Sequence, residues 1–176
     1  MFLDEAAPLP FALLDDPLGY VMAAHLRQRA TCTRLRRLAK ERVVARGEAD
    51  MITSYLTSDL RQHHEDEDLD VYPALRRRAL PEDSLGITLA QLGEEHRQGA
   101  AMADNIVETL SAKPADDLVH IHTAAGEMMQ AYAARELRHL ALENGVVLAL
   151  ARIRLTRSDL KAISRAMKAR RGVVGA

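Results

Sequence analysis

Apolar residues recur at three- and four-residue spacings along most of the chain, which predicts one amphipathic helix after another, and nothing reads as strand. Breaks in the pattern place the elements. A proline-bearing, irregular arm covers residues 1–16. A first helix is expected from Leu18 to Ala45, ending at the Gly47 break, and a second from Ala49 to Leu80, disturbed by Pro73. The Pro81-Glu-Asp-Ser turn opens a third helix that runs to near Lys113. Pro114 then starts a fourth that runs to about Leu155. Thr156-Arg-Ser-Asp initiates a shorter amphipathic helix, Ser158 to Arg170, which stops at Gly172. The expected organisation is an arm (1–16), a four-helix unit (17–155), and a C-terminal helix with its tail (156–176).

The long helices carry a repeated pair of ligand-type residues. His63 with Glu67, and His139 with Glu143, are each four residues apart, which puts both members on one helix face about one turn apart. His25 and His96 stand alone on the other two long helices. Neutral imidazole with carboxylate suits iron, manganese or zinc, whereas calcium and magnesium prefer oxygen ligands throughout. Helix bundles build such sites from side chains on facing helices, and four histidines with two bridging carboxylates would hold two ions. A histidine on an apolar stripe is ordinarily a satisfied core residue. Glu67 and Glu143 argue against that here, since a carboxylate facing a core is costly unless paired or metal-bound. A ferritin-like site would need two Glu-x-x-His pairs; the chain has one, Glu136 with His139.

At these residues the chain resembles the hemerythrin-like family, or HHE cation-binding domain, over about residues 17 to 150. The order His, His-x-x-x-Glu, His, His-x-x-x-Glu is met by His25, His63 with Glu67, His96, and His139 with Glu143. DLDVYP after Glu67 is similar to the family's second-helix ending, with Tyr72 in the aromatic place, and LEN at 142–144 is similar to its last-helix motif. The resemblance implies an all-α, up-down-up-down four-helix bundle, to which a short C-terminal helix is added. It also implies a non-haem di-iron centre, often oxo- or hydroxo-bridged, that binds dioxygen or nitric oxide or reacts with peroxide. Oxygen carriers of the family have a second third-helix histidine one turn on, where this chain has Ala100. The pattern is closer to the branch that repairs iron–sulfur clusters or senses, although that branch usually bears an N-terminal cysteine segment that is not seen here. The expectation is a protein that binds or senses dioxygen or nitric oxide. The alternative is a redox enzyme handling peroxide or iron, by peroxide disproportionation, iron–sulfur repair, or iron storage and donation. Manganese or zinc would accept the same ligands.

Helical spacing nominates residues around the ligands. Asp59, four before His63, either orients it or forms a surface pair. Tyr132, seven before His139, either donates to a bound oxygen species or packs. His64 lies about 100° round the helix from His63 and is expected in the surroundings of the site or facing solvent. Cys32 lies seven after His25. Gly99, three after His96, either leaves room for a small ligand or marks a close helix approach. His120 and His122 precede His139 by about 25 to 29 Å on a continuous helix, too far to share its metal.

Composition changes this picture little. With 176 residues, 48% of them hydrophobic, and six prolines, one globular domain is expected. No long apolar run or signal-peptide pattern is present, and the lone Cys32 excludes an internal disulfide framework, so a cytoplasmic, membrane-free protein is expected. The net charge of −1 hides basic clusters at Arg27–Arg46 and at Arg165–Arg171. These read as solvated faces balanced by the acidic start of helix two. No Trp and only two Phe make nucleic acid an unlikely partner, while a protein partner stays open.

Overall fold

Asp16 sets the start of the first helix: its carboxylate accepts the Gly19 N–H at 3.1 Å, and Pro17 fills the first helical position. This helix, α1 (Pro17–Glu41), ends where Arg42 takes a left-handed conformation (φ 63°) and its N–H returns to the Leu38 carbonyl. The computed structural model describes residues 8–112 and 117–173. Within them the arm is not wholly irregular. Phe11–Asp15 forms a short 3-10 helix, and its Leu14 is fully buried.

The expectation of no strand is corrected. Val43–Ala45 (β1) pairs antiparallel with Leu118–His120 (β2), with Val44 opposite Val119. Arg42 ends α1 four residues earlier than Ala45, and the β-branched pair Val43-Val44 then extends. Val44 and Val119 are buried against the core. Three residues per strand are too few to show alternation in a sequence otherwise full of helical periodicity.

A continuous helix, α2, covers residues 46–78 and starts before the expected Ala49. Two π-helical turns interrupt its α-helical course, at Tyr55–Asp59 and Asp66–Val71. The second ends two residues before Pro73, whose ring and missing N–H crowd the carbonyl one turn back. The wider turn absorbs the mismatch, and the helix runs on to Arg78. The third helix, α3, spans Leu85–Leu110; the expected boundaries at Lys113 and Pro114 lie outside the described residues. The fourth, α4 (residues 123–154), starts at Thr123 and contains one π turn, Glu143–Val147. His120 is therefore in β2 rather than on the helix, and His122 caps α4, its Nδ1 accepting the Ala125 N–H at 3.2 Å. The fifth helix, α5 (Arg157–Arg170), stands within one residue of its expected span, and Gly172 beyond it has φ +67°.

Two apolar cores form, each drawing on all four long helices. One contains Leu18, Val21, Val71, Leu75, Leu89, Leu92, Val147 and Leu148, with Ile163 and Met167 from α5. The other contains Leu35, Leu38, Ile52, Leu56, Ile106, Leu110, Met129 and Tyr132. In every long helix the histidines and glutamates singled out above fall between its residues of one core and its residues of the other. At Gly126 an added Cβ would meet the Ala39 carbonyl oxygen at 3.1 Å, so α1 and α4 approach where glycine is required. Among the described residues no helix is long and apolar enough to cross a membrane.

Part of each basic cluster is spent on ion pairs within the chain. Arg37 pairs with Glu41 and Glu48, and Arg46 with Asp50, as a balanced solvated face requires. The tail behaves otherwise: Arg170 and Arg171 both bind Asp66, which is fully buried beside Glu67, and Arg171 also lies over the Tyr20 ring at 4.8 Å. Burial pushes the Asp66 carboxyl up, and the two guanidinium groups only partly offset this.

The start of α5 is a reciprocal cap. Asp159 accepts the Thr156 N–H at 2.9 Å, Thr156 Oγ1 accepts the Asp159 N–H at 3.2 Å, and Arg78 adds a bond to Asp159 at 2.9 Å. The hydroxyl of Thr156 and then Arg78 hold the Asp159 carboxyl well below its usual range. A folded-state value that is lowered stabilises above the unfolded value of about 4 and is lost as pH falls through the lowered one. Thr156→Ala is therefore expected to cost about 1 kcal/mol in urea unfolding at neutral pH. In Asp159→Asn part of the loss of stability below about pH 4 should disappear; an unchanged acid limb would refute the assignment.

Candidate metal centre

Six side chains converge between the two cores: His25 from α1, His63 and Glu67 from α2, His96 from α3, and His139 and Glu143 from α4. None is more than 4% exposed. Both His-x-x-x-Glu pairs straddle a change of helix type. His63 and His139 lie in α-helical turns, while Glu67 lies within a π turn and Glu143 begins one. Such bulges are frequent at functional sites because they re-aim side chains without ending the helix.

The ligand-type atoms sort into two groups, His25 with His63 and Glu67, and His96 with His139 and Glu143, each within 4.8 Å. Both carboxylates reach across. Glu67 lies 3.1 Å from His25 Nε2 and 3.5 Å from both His63 Nε2 and His96 Nε2. Glu143 lies 3.4 Å from His25 Nε2, 3.2 Å from His139 Nε2 and 3.9 Å from His96 Nε2. Two histidines per group with two carboxylates reaching across is an arrangement that could hold a pair of cations.

The outer nitrogens of three rings face protein oxygens. His25 Nδ1 is 2.8 Å from Asn144 Oδ1, His139 Nδ1 is 2.8 Å from Glu95 Oε2, and His96 Nδ1 is 3.1 Å from Asp68 Oδ2, though poorly aligned for a full hydrogen bond. An acceptor behind Nδ1 keeps the proton there and turns the Nε2 lone pair inward. Inside the site, His96 Nε2 and His139 Nε2 then face each other at 3.0 Å, and His63 Nε2, Glu67 Oε2 and Glu143 Oε2 are buried without a hydrogen-bond partner. Converging ring nitrogens and unpartnered carboxylate oxygens fit cations between them.

Electrostatics agree. Burial, and then the charge of Glu143, pushes Glu67 well up. Burial would raise Glu143 too, but its bond to His139 and that ring's charge hold it well below the usual range. Burial would lower His139; the bond and charge of Glu143, the bond to Glu95 and the charge of Glu67 together outweigh it and raise the ring to about 9. His139 and Glu143 thus favour each other's charged forms, whereas burial drives His63 well down.

Of the surrounding candidates, His64 is half-buried and its ring stacks on His96 with centroids 4.0 Å apart, 14° from parallel. Asp59 takes the pairing alternative, accepting from Arg27 Nη2 at 2.8 Å. Tyr132 is buried in the second core, which is the packing alternative. Room beside Gly99 is filled by Arg135 and Glu136, which a Cβ there would meet at 2.8 and 2.9 Å. Glu136, the ferritin-type candidate, accepts from Gln28 Nε2 at 2.7 Å and lies outside both groups. Burial, then Glu136, pushes the Cys32 thiol up to about 12, so it is a neutral core residue.

Sequence reasoning missed Asn144, Asp68 and Glu95. Each adjoins a ligand on its own helix but serves a histidine on another, which no single-helix pattern reveals. It also missed what Tyr72 does: its hydroxyl donates to Glu143 Oε1, and its ring stacks on His96 at 5.9 Å.

No curated protein and no solved structure matches the chain at a significant level. One family model does, described as Hemerythrin HHE cation binding domain, over residues 16–151. That span is well over half of the chain and contains all six converging residues, so the protein belongs to the hemerythrin HHE cation-binding family.

Proposed function

We propose that this protein is a dinuclear non-haem iron protein that binds or senses dioxygen or nitric oxide. His25 and His63 serve one ion, His96 and His139 the other, and Glu67 and Glu143 bridge them. The single observation that carries the reading is the 3.0 Å approach of His96 Nε2 and His139 Nε2, inward-facing nitrogens whose rings are each oriented from behind by a carboxylate. An up-down-up-down bundle is part of the proposal. Its support is the alternating order in which successive helices pass from one core, through the ligand layer, to the other.

Two irons held there would supply open coordination positions and a reversible change of oxidation state. The chain's own residues do the rest. Asn144, Glu95 and Asp68 orient the imidazoles, Tyr72 and His25 hold Glu143, and the two cores keep water from the layer. Iron is preferred over manganese or zinc because of the family; the ligand set accepts all three.

A redox enzyme acting on peroxide or iron is the second reading, and one observation favours it. The Tyr72 hydroxyl on Glu143 is a proton donor beside the site.

Wild-type protein prepared without air is expected to hold two irons per chain, and His63→Ala and Glu143→Ala to lose stoichiometric metal while remaining helical. Glu95→Ala and Asn144→Ala should keep two sites with metal affinity lowered about 10- to 100-fold. Metal analysis with circular dichroism reads both outcomes, and full metal in His63→Ala and Glu143→Ala would sink the ligand assignment. Visible absorption separates the functions. Bands that appear with oxygen or nitric oxide and vanish on its removal support binding. Irreversible bands, together with a peroxide-consumption rate at least about tenfold lower in Tyr72→Phe at constant iron, support the enzyme.

A further inference from the structure

His63 is the exception among the four rings. Its outer nitrogen, Nδ1, is buried without any partner, whereas those of His25 and His139 bond Asn144 and Glu95, and that of His96, also without a full hydrogen bond, has Asp68 at 3.1 Å. His63 instead lines a partly open cavity of about 150 Å³, with Leu9 and Phe11 of the arm, Ala24 and Arg27 of α1, and Asp59 and Gln62 of α2 beside it. Arg27 contributes a second orphan. Its Nη2 binds Asp59 at 2.8 Å and its guanidinium lies 5.2 Å from the centre of the Tyr55 ring, but its Nε is buried without an acceptor.

Among the described residues, the unpartnered buried polar atoms of this wall are all nitrogens, and those turned away from the ligand layer both donate. Arg27 Nε always carries hydrogen, and His63 Nδ1 carries it when Nε2 is given to a metal. Asp59, the carboxylate on this wall, is engaged by Arg27 Nη2 and reaches neither orphan, so the missing complement is a further acceptor. Leu9, Phe11 and Ala24 offer apolar contact on the same wall, and the volume is several times the roughly 30 Å³ share of one water.

We propose that this cavity is a binding site for a small monocarboxylate. Its oxygens accept from Arg27 Nε and His63 Nδ1, and its short alkyl part lies against Leu9, Phe11 and Ala24. The bound carboxylate gives His63 the outer acceptor that the other three histidines obtain from the protein, and so couples occupancy of the cavity to the metal site. The proposal rests on the dinuclear reading in one respect, since a metal on Nε2 is what leaves the Nδ1 proton facing the cavity.

The test uses full-length, zinc-loaded protein, with propionate as the probe. Metal content is measured first; absence of stoichiometric zinc counts against the dinuclear reading, and the propionate titration stands apart from it. Expected are one saturable propionate site per chain by calorimetry and a shift of the His63 Nδ1 nitrogen resonance. The dissociation constant should rise at least tenfold in Ala24→Leu, which fills the cavity, and in Arg27→Gln, which removes the donor. No saturable binding, equal binding of neutral propionamide, or affinity unchanged in both variants would overturn the proposal. The last result would place propionate elsewhere, on the metals included.

Discussion

Burying two carboxylates and four imidazoles in one layer is the constraint on which the rest of this structure depends. Each such group taken out of water is costly unless a partner meets it, and here the groups must meet one another or a cation. Every long helix is written around that requirement. Large aliphatic residues stand to either side, and the polar group that faces inward sits where the helix crosses from one core to the other. The cores supply the hydrophobic stabilisation and hold four helices close enough for the polar atoms to converge.

Holding these side chains in place is a separate problem from burying them, and it is solved between helices. Asn144 beside Glu143 reaches His25, Asp68 beside Glu67 reaches His96, and Glu95 beside His96 reaches His139. Three of the four long helices thus bring both an inward-facing side chain and the acceptor that aims a neighbour's histidine. The π turns at Glu67 and Glu143 belong to the same solution: a local widening changes the direction of one carboxylate while the helix continues. Tyr72, just past the first of these turns, reaches the carboxylate of the second.

The C-terminal helix, which a four-helix unit does not need, is tied to this layer through Asp66. That residue precedes Glu67 and takes both Arg170 and Arg171. Removing Asp66 would leave the mostly buried Arg171 guanidinium without its carboxylate, while Arg170 keeps Asp70 and Glu65. Arg171 also borders the cavity beside His63, as the N-terminal arm does. Both ends of the described chain therefore meet on the side of the site where one histidine lacks a protein acceptor.

The sequence by itself determined the helices, the cap at Thr156 and Asp159, and the six converging residues, because these are expressed in local spacing: one helical turn between His and Glu, and three residues across a capping box. It also carried the family. What it could not express is anything decided by contact between distant residues. The β1–β2 pairing joins positions about 75 apart, and three-residue strands leave no period to read. The acceptors behind the rings, the stacking of His64 on His96, and the engagement of Asp59 by Arg27 depend on which faces of separate helices come together. Tertiary structure alone also chose between the alternatives for Tyr132 and Gly99, since packing neighbours are set by the crossing of helices and not by the order of residues along one.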